Sequence, residues 1–129
     1  MNRADHSVEV KHNLGLNCCQ AVLLEFAPEL EKAQQMTKEQ LLSLGSGFGA
    51  GMGSMNATCG ALCGAAMVAG LLNNSEKLTT AITRELSNAF KTKVGSLICR
   101  EIKGADTKQP LCSCDNCVRH AVHLTESLL

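Results

Sequence analysis

Apolar residues recur at helical spacing along most of the chain. The clearest stretch runs from Glu76 to Lys93. There Leu78, Ile82, Leu86, Ala89 and Phe90 share one side and the charged residues take the other. An opening segment, Ala4 to Leu14, mixes Val8, Val10 and Leu14 with charges and stops at Gly15. Asn17 is suited to cap a second helix, Cys18 to Phe26, with Leu23, Leu24 and Phe26 as its apolar side and Pro28 as its stop. Thr37, followed by Gln40, forms a capping-box pattern for a short helix through Leu44. Further helices are expected over Met55 to Leu72, Ser96 to Ile102, and from Cys112–Cys117 through Leu129. The pattern predicts an all-α fold: one compact domain over residues 1–129, a bundle of about five to seven helices around a central Gly/Ala-rich helix.

Between Gln40 and Glu76 no residue is charged, and glycine occupies every second position from Gly45 to Gly53. Such a run cannot form a stable helix interior. It predicts an extended or turning segment packed closely on something. It also contains the letters of a dinucleotide fingerprint, but no strand precedes it, so that reading fails. Its remaining chemical role is to aim backbone N–H groups at an anion or at sulfurs. The apolar run Ala57 to Leu72 falls short of the ~20 residues of a membrane span and lacks Lys, Arg or aromatic anchors. It is expected to be a central helix, in which Gly60 and Gly64 admit a neighbouring backbone.

Composition sharpens this picture. Apolar residues make up 45% of the chain, yet phenylalanine supplies its only three aromatics, so the core must be built from Leu, Ala, Val, Met and Cys. A core of such small side chains predicts a homodimer. Twelve basic residues balance twelve acidic ones and form no patch, which argues against a nucleic-acid partner. No basic segment leading into an apolar one opens the chain, so a cytoplasmic location with reduced thiols is expected.

The eight cysteines then become the main candidate chemistry. Cys59 and Cys63 lie four apart, on one face of the predicted central helix. Cys18 and Cys19 are adjacent and point about 100° apart, so one of them faces any shared site. Cys112-Ser113-Cys114-Asp115-Asn116-Cys117 resembles a metal knuckle. His120 and His123 follow it, and Cys99 could complete a zinc set. Each thiol could equally be a small buried hydrophobe. Haem attachment fails because Val118, not histidine, follows Cys117. A thioredoxin-type motif lacks its strand–helix context. No serine–histidine–acid set and no paired carboxylates in an apolar setting stand out.

Several motifs in order resemble the C_GCAxxG_C_C family of small redox-active proteins. Gly15-Leu16-Asn17-Cys18 with Gln20-Ala21-Val22 resembles its first cysteine motif. Thr58-Cys59-Gly60-Ala61-Leu62-Cys63-Gly64-Ala65 resembles its core, and Gly70-Leu71 the end of that helix. Cys99-Arg100-Glu101-Ile102 fits the third motif; the fourth cysteine is Cys114 by its spacing to Val118 and Ala121, with Cys117 as second choice. The resemblance, which extends to a domain of split-Soret cytochromes c, implies redox activity through Cys18, Cys59, Cys99 and Cys114. It implies an iron–sulfur cluster and electron transfer with a partner protein, with Cys63 and Cys117 as further candidate ligands. The alternatives are metal-free dithiol/disulfide cycling and a zinc-stabilised structural or interaction module. Cys19, Cys63, Cys112 and one of Cys114 and Cys117 are additions to the family pattern.

Overall fold

A computed structural model describes residues 1–34 and 36–128. Among them are nine helical segments and no strand, so the fold is all-α but with more helices than the five to seven expected. The eight α-helices are α1 (Arg3–Leu14), α2 (Cys18–Glu25), α3 (Ala27–Gln34), α4 (Lys38–Gly45), α5 (Gly60–Asn73), α6 (Glu76–Val94), α7 (Cys99–Lys103) and α8 (Cys114–Leu128). The ninth segment is a single wide turn, Gly51–Met55.

Local chemistry sets most of the boundaries. Asn17 and Gln20 form a reciprocal capping box at α2, and Thr37 and Gln40 form another at α4. Gly15, Asn74, Gly95 and Gly104 end helices in the left-handed conformation. Pro28 acts differently from expectation. It sits in the first turn of α3, where its missing N–H would have had no helical partner anyway, so it opens a new helix after α2 ends.

α5 is the centre of the bundle, with α2, α3, α6 and α8 packed around it. Leu23, Val22, Val68, Leu86, Phe90, Val118 and Val122 are fully buried between them. Two glycines set the closest approach. A Cβ on Gly64 would stand 2.9 Å from the Cys19 carbonyl oxygen, and one on Gly60 would stand 2.6 Å from the Phe48 carbonyl oxygen. No helix among the described residues is long and apolar enough to cross a membrane.

α5 begins five residues later than the sequence pattern predicts. Residues 57–59 instead lie antiparallel to 97–99, through a bridge between Thr58 and Ile98. The Cys59 N–H donates to the Leu97 carbonyl at 2.8 Å, and the Cys99 N–H donates to the Ala57 carbonyl at 3.0 Å. Those long-range bonds take the backbone groups that an earlier helix start would have used.

Candidate functional site

Five cysteines line one cavity of about 200 Å³: Cys18, Cys59, Cys99, Cys114 and Cys117. They come from the starts of four helices. Cys18, Cys99 and Cys114 are the first residues of α2, α7 and α8, and Cys59 is the residue capping α5. Cys117 lies one turn into α8. Helix starts carry unpaired backbone N–H groups and the positive end of the helix dipole, both of which favour thiolates.

Each start is fixed by its own contacts. Asn17 accepts from the Gln20 N–H at 2.8 Å, and its side-chain amide donates to the Gly45 carbonyl at 3.1 Å, which ties α2 to the end of α4. Ser113 accepts from the Asn116 N–H at 3.1 Å at the head of α8. The Thr58–Ile98 bridge ties the segment that carries Cys59 to the one that carries Cys99, with Cys59 opposite Leu97 and Cys99 opposite Ala57. Glycine then makes room: a Cβ on Gly51 would lie 2.6 Å from the Cβ of Cys99. Gly51 belongs to a run of four residues, Ala50 to Gly53, with positive φ. Non-glycine residues rarely adopt that conformation, so the backbone is strained at Ala50, in the wall of the cavity, and at exposed Met52 beside it.

All eight thiols are free, and those in the cavity act on each other in pairs. Cys18 and Cys114 adjoin. Their hydrogen bonding lowers Cys114 to about 6, helped by Lys103 and Lys11 against the cost of burial, and raises Cys18. Cys59 and Cys117 form the second pair. Cys117 lowers Cys59 to about 7 and is itself raised, with Cys112 as a further neighbour. Cys59 makes no full side-chain cap, but the Ala61 and Leu62 N–H groups lie close enough to favour its thiolate. Burial raises Cys99.

Lys11 and Lys103 are the charged residues of the lining, and the sequence reading missed both. Lys11 is fixed by Asp115, whose carboxylate accepts from its Nζ at 2.9 Å and meets His12 Nε2 at 2.7 Å. Nothing local in the sequence points to Lys11; only the packing of α1 on α8 brings it there.

The remaining predicted residues lie elsewhere. Cys63 is outside the cavity, its Sγ 3.9 Å from the Thr58 carbonyl oxygen. Cys59 caps α5 rather than lying within it, and the Cys63 N–H donates to the Cys59 carbonyl at 3.1 Å, but of the two only Cys59 lines the cavity. Cys19 is fully buried, its Sγ 3.9 Å from Met67 Sδ. His120 and His123 lie along α8 and do not line the cavity.

As the side chains stand, no three Cys, His, Asp or Glu among the described residues are placed to share a single metal ion. The cavity nonetheless gathers several thiols, the donor type that iron–sulfur clusters take, beside Gly51 and two lysines that offset thiolate charge.

No curated protein and no solved structure matches the chain. The family model described as "Putative redox-active protein (C_GCAxxG_C_C)" matches residues 16–128, which include every cysteine and all four helix starts at the cavity. With that match over most of its length, the chain belongs to the C_GCAxxG_C_C family of putative redox-active proteins.

Proposed function

We propose that the cavity is a redox centre that holds an iron–sulfur cluster and exchanges electrons with a partner protein. The carrying observation is that thiols from four helix starts line one cavity whose walls are glycine where a side chain would intrude. Cys18, Cys59, Cys99 and Cys114 would be the ligands, with Cys117 able to take the place of Cys114. A bound cluster supplies one-electron chemistry at a potential set by its charge, its solvent exposure and the hydrogen bonds to its sulfurs. The chain's own contribution is electrostatic and steric. Helix-start N–H groups and the two lysines stabilise thiolate charge, and Gly51 leaves room for Cys99.

The test is spectroscopic. The chain has no Trp or Tyr, so its own near-ultraviolet absorbance is slight and a cofactor would dominate the spectrum. Protein purified without oxygen is expected to be brown, to contain iron and acid-labile sulfide, and to bleach on reduction. Colourless protein with stoichiometric zinc would replace this reading with the structural-module one.

A second reading has an observation of its own. Cys18 with Cys114, and Cys59 with Cys117, each set a thiol of lowered pKa against a thiol neighbour. That is the arrangement of a dithiol that cycles with a disulfide, and it needs no metal.

A further inference from the structure

Cys19 on α2 and Cys63 on α5 do not line the cavity, yet both lie where those two helices meet. Gly60, Cys63, Gly64 and Met67 are spaced i, i+3, i+4 and i+7, so they share one face of α5. Cys19 is laid across that face. A Cβ on Gly60 would stand 3.3 Å from its backbone nitrogen, and one on Gly64 would stand 2.9 Å from its carbonyl oxygen. From there the Cys19 Sγ reaches Met67 Sδ at 3.9 Å. Met67 follows Cys63 by one turn. Long side chains on a helix lean back over the preceding turn, which carries the Met67 sulfur toward Cys63.

We infer that Cys19, Cys63 and Met67 form a second metal site, separate from the cavity, that binds one copper(I) ion through three sulfurs.

The donors select the ion. Two thiols and a thioether are soft ligands, and a thioether suits copper(I) but is not among the ligands that zinc takes. The spacing agrees. Sulfurs bonded at ~2.3 Å around one ion in a plane stand about 4 Å apart. The Cys19 and Met67 sulfurs are already 3.9 Å apart. The surroundings agree as well. α5 has no charged residue, and the only one in α2 is Glu25 at its far end. With no cation nearby to offset thiolate charge, the site depends on the bound ion for that role. Cys63 and Met67 are half-buried and Cys19 fully buried, so an ion arriving from solvent meets the first two and closes on the third. The Cys63 Sγ stands 3.9 Å from the Thr58 carbonyl oxygen, a weak thiol contact that a metal bond replaces. On binding, Cys19 and Cys63 release their protons to solvent and bind as thiolates, while Met67 stays neutral. No electron is transferred.

Met67 also makes the site separable from the cavity, which no methionine lines. The experiment uses the full chain, reduced and freed of metal without oxygen, with isotopically labelled methionine methyl groups. Copper(I) is added as its acetonitrile complex until binding saturates, so copper taken by the cavity thiols does not hide the second site. Copper(I) has a closed shell, and the methyl signals of the five methionines stay sharp. The Met67 signal, assigned by its loss in Met67→Leu, is expected to shift on loading. Met67→Leu conserves volume and keeps the fold. It and Cys63→Ser should each bind one equivalent less copper than the parent, and Cys63→Ser should leave the Met67 methyl unshifted. A Met67 signal that does not move at saturation would overturn the inference. So would full copper capacity in both variants, or an equal shift produced by zinc. Iron in the protein as isolated is measured separately and bears on the cavity alone, since the two sites share no ligand. Protein that lacks iron but shows the Met67 shift removes the cluster and keeps this site; iron protein without the shift does the opposite.

Discussion

Gly51 stands against Cys99 so closely that a Cβ added to the glycine would lie 2.6 Å from the cysteine's own Cβ. The same added atom would lie 2.9 Å from the Ala57 carbonyl oxygen, and the glycine's φ is +57°. Gly51→Ala therefore combines a clash with backbone strain. The expected loss is about 2–5 kcal/mol in urea unfolding, the sum of one left-handed alanine and an overpacked contact. Gly53→Ala supplies the control. Its φ is +80° but its Cβ would meet open space, so only the backbone cost, about 1–2 kcal/mol, should appear. Equal losses at the two sites would show that the contact with Cys99 does not matter.

The thiols should titrate far apart from one another in the metal-free protein. Cys114, at about 6, and Cys59, at about 7, should react with iodoacetamide at lower pH than an ordinary thiol, while Cys19, raised to about 12 by burial, should resist throughout. Stability follows with a definite sign. Between about 6 and 9 the folded protein has released protons from Cys114 and Cys59 that the unfolded chain still holds, so stability rises with pH. Above 9 the unfolded chain releases protons that Cys18, Cys19 and Cys117 retain when folded, so stability falls. Denaturation across this range, paired with site-resolved alkylation, checks both limbs. A curve that declines steadily from pH 6 would contradict the first.

Iron binding should divide the cysteines by position. Serine at Cys18, Cys59 or Cys99 is expected to abolish or sharply lower iron per chain. Serine at Cys63, outside the cavity, should leave it unchanged. Serine at Cys114 and at Cys117, compared side by side, identifies the α8 ligand. Iron retained by Cys99→Ser and lost from Cys63→Ser would place the centre elsewhere.

Two glycines of α5 should respond in opposite directions to alanine. At Gly64 the new Cβ would sit 2.9 Å from the Cys19 carbonyl oxygen and 3.0 Å from Val22 Cβ, forcing α2 away at a cost of about 1–3 kcal/mol. At Gly70 it would meet Thr79 Cγ2 at 3.5 Å, an ordinary contact, so alanine should stabilise by about 0.5–1 kcal/mol through helix propensity alone. Thermal unfolding of both variants reads the signs directly.

Asp115→Asn should loosen α1 from α8, since Asp115 accepts from Lys11 and pairs with His12. All three groups are at least partly exposed, which limits the loss to about 1 kcal/mol at neutral pH. The His12 and Lys11 contacts hold the Asp115 carboxyl below its usual value of 3.8. Its contribution is therefore full above 3.8 and disappears as pH falls through the lower folded value. The variant and the parent should converge in acid; a gap that persists there would assign the loss to packing.

The sequence by itself determined the helices whose ends are made by neighbours in the chain. Asn17 with Gln20, Thr37 with Gln40, and the stops at Gly15 and Gly95 involve residues a few positions apart, so their chemistry is legible locally. The order of the cysteine motifs likewise carried the family. What only the tertiary structure decided lies in contacts between distant residues. α5 starts at Gly60 because residues 57–59 bond to 97–99, and the same bonds bring the segment of Cys59 to that of Cys99. α8 brings Cys114 and Cys117 to Cys18 and Cys59 through its packing on α2 and α5, and α1 delivers Lys11 from the far end of the chain. Helical periodicity records which face of a segment is apolar, but not where another segment's N–H will bond or whose thiol it will meet. Those partners are chosen when α2, α5, α7 and α8 bring their starting ends to one cavity.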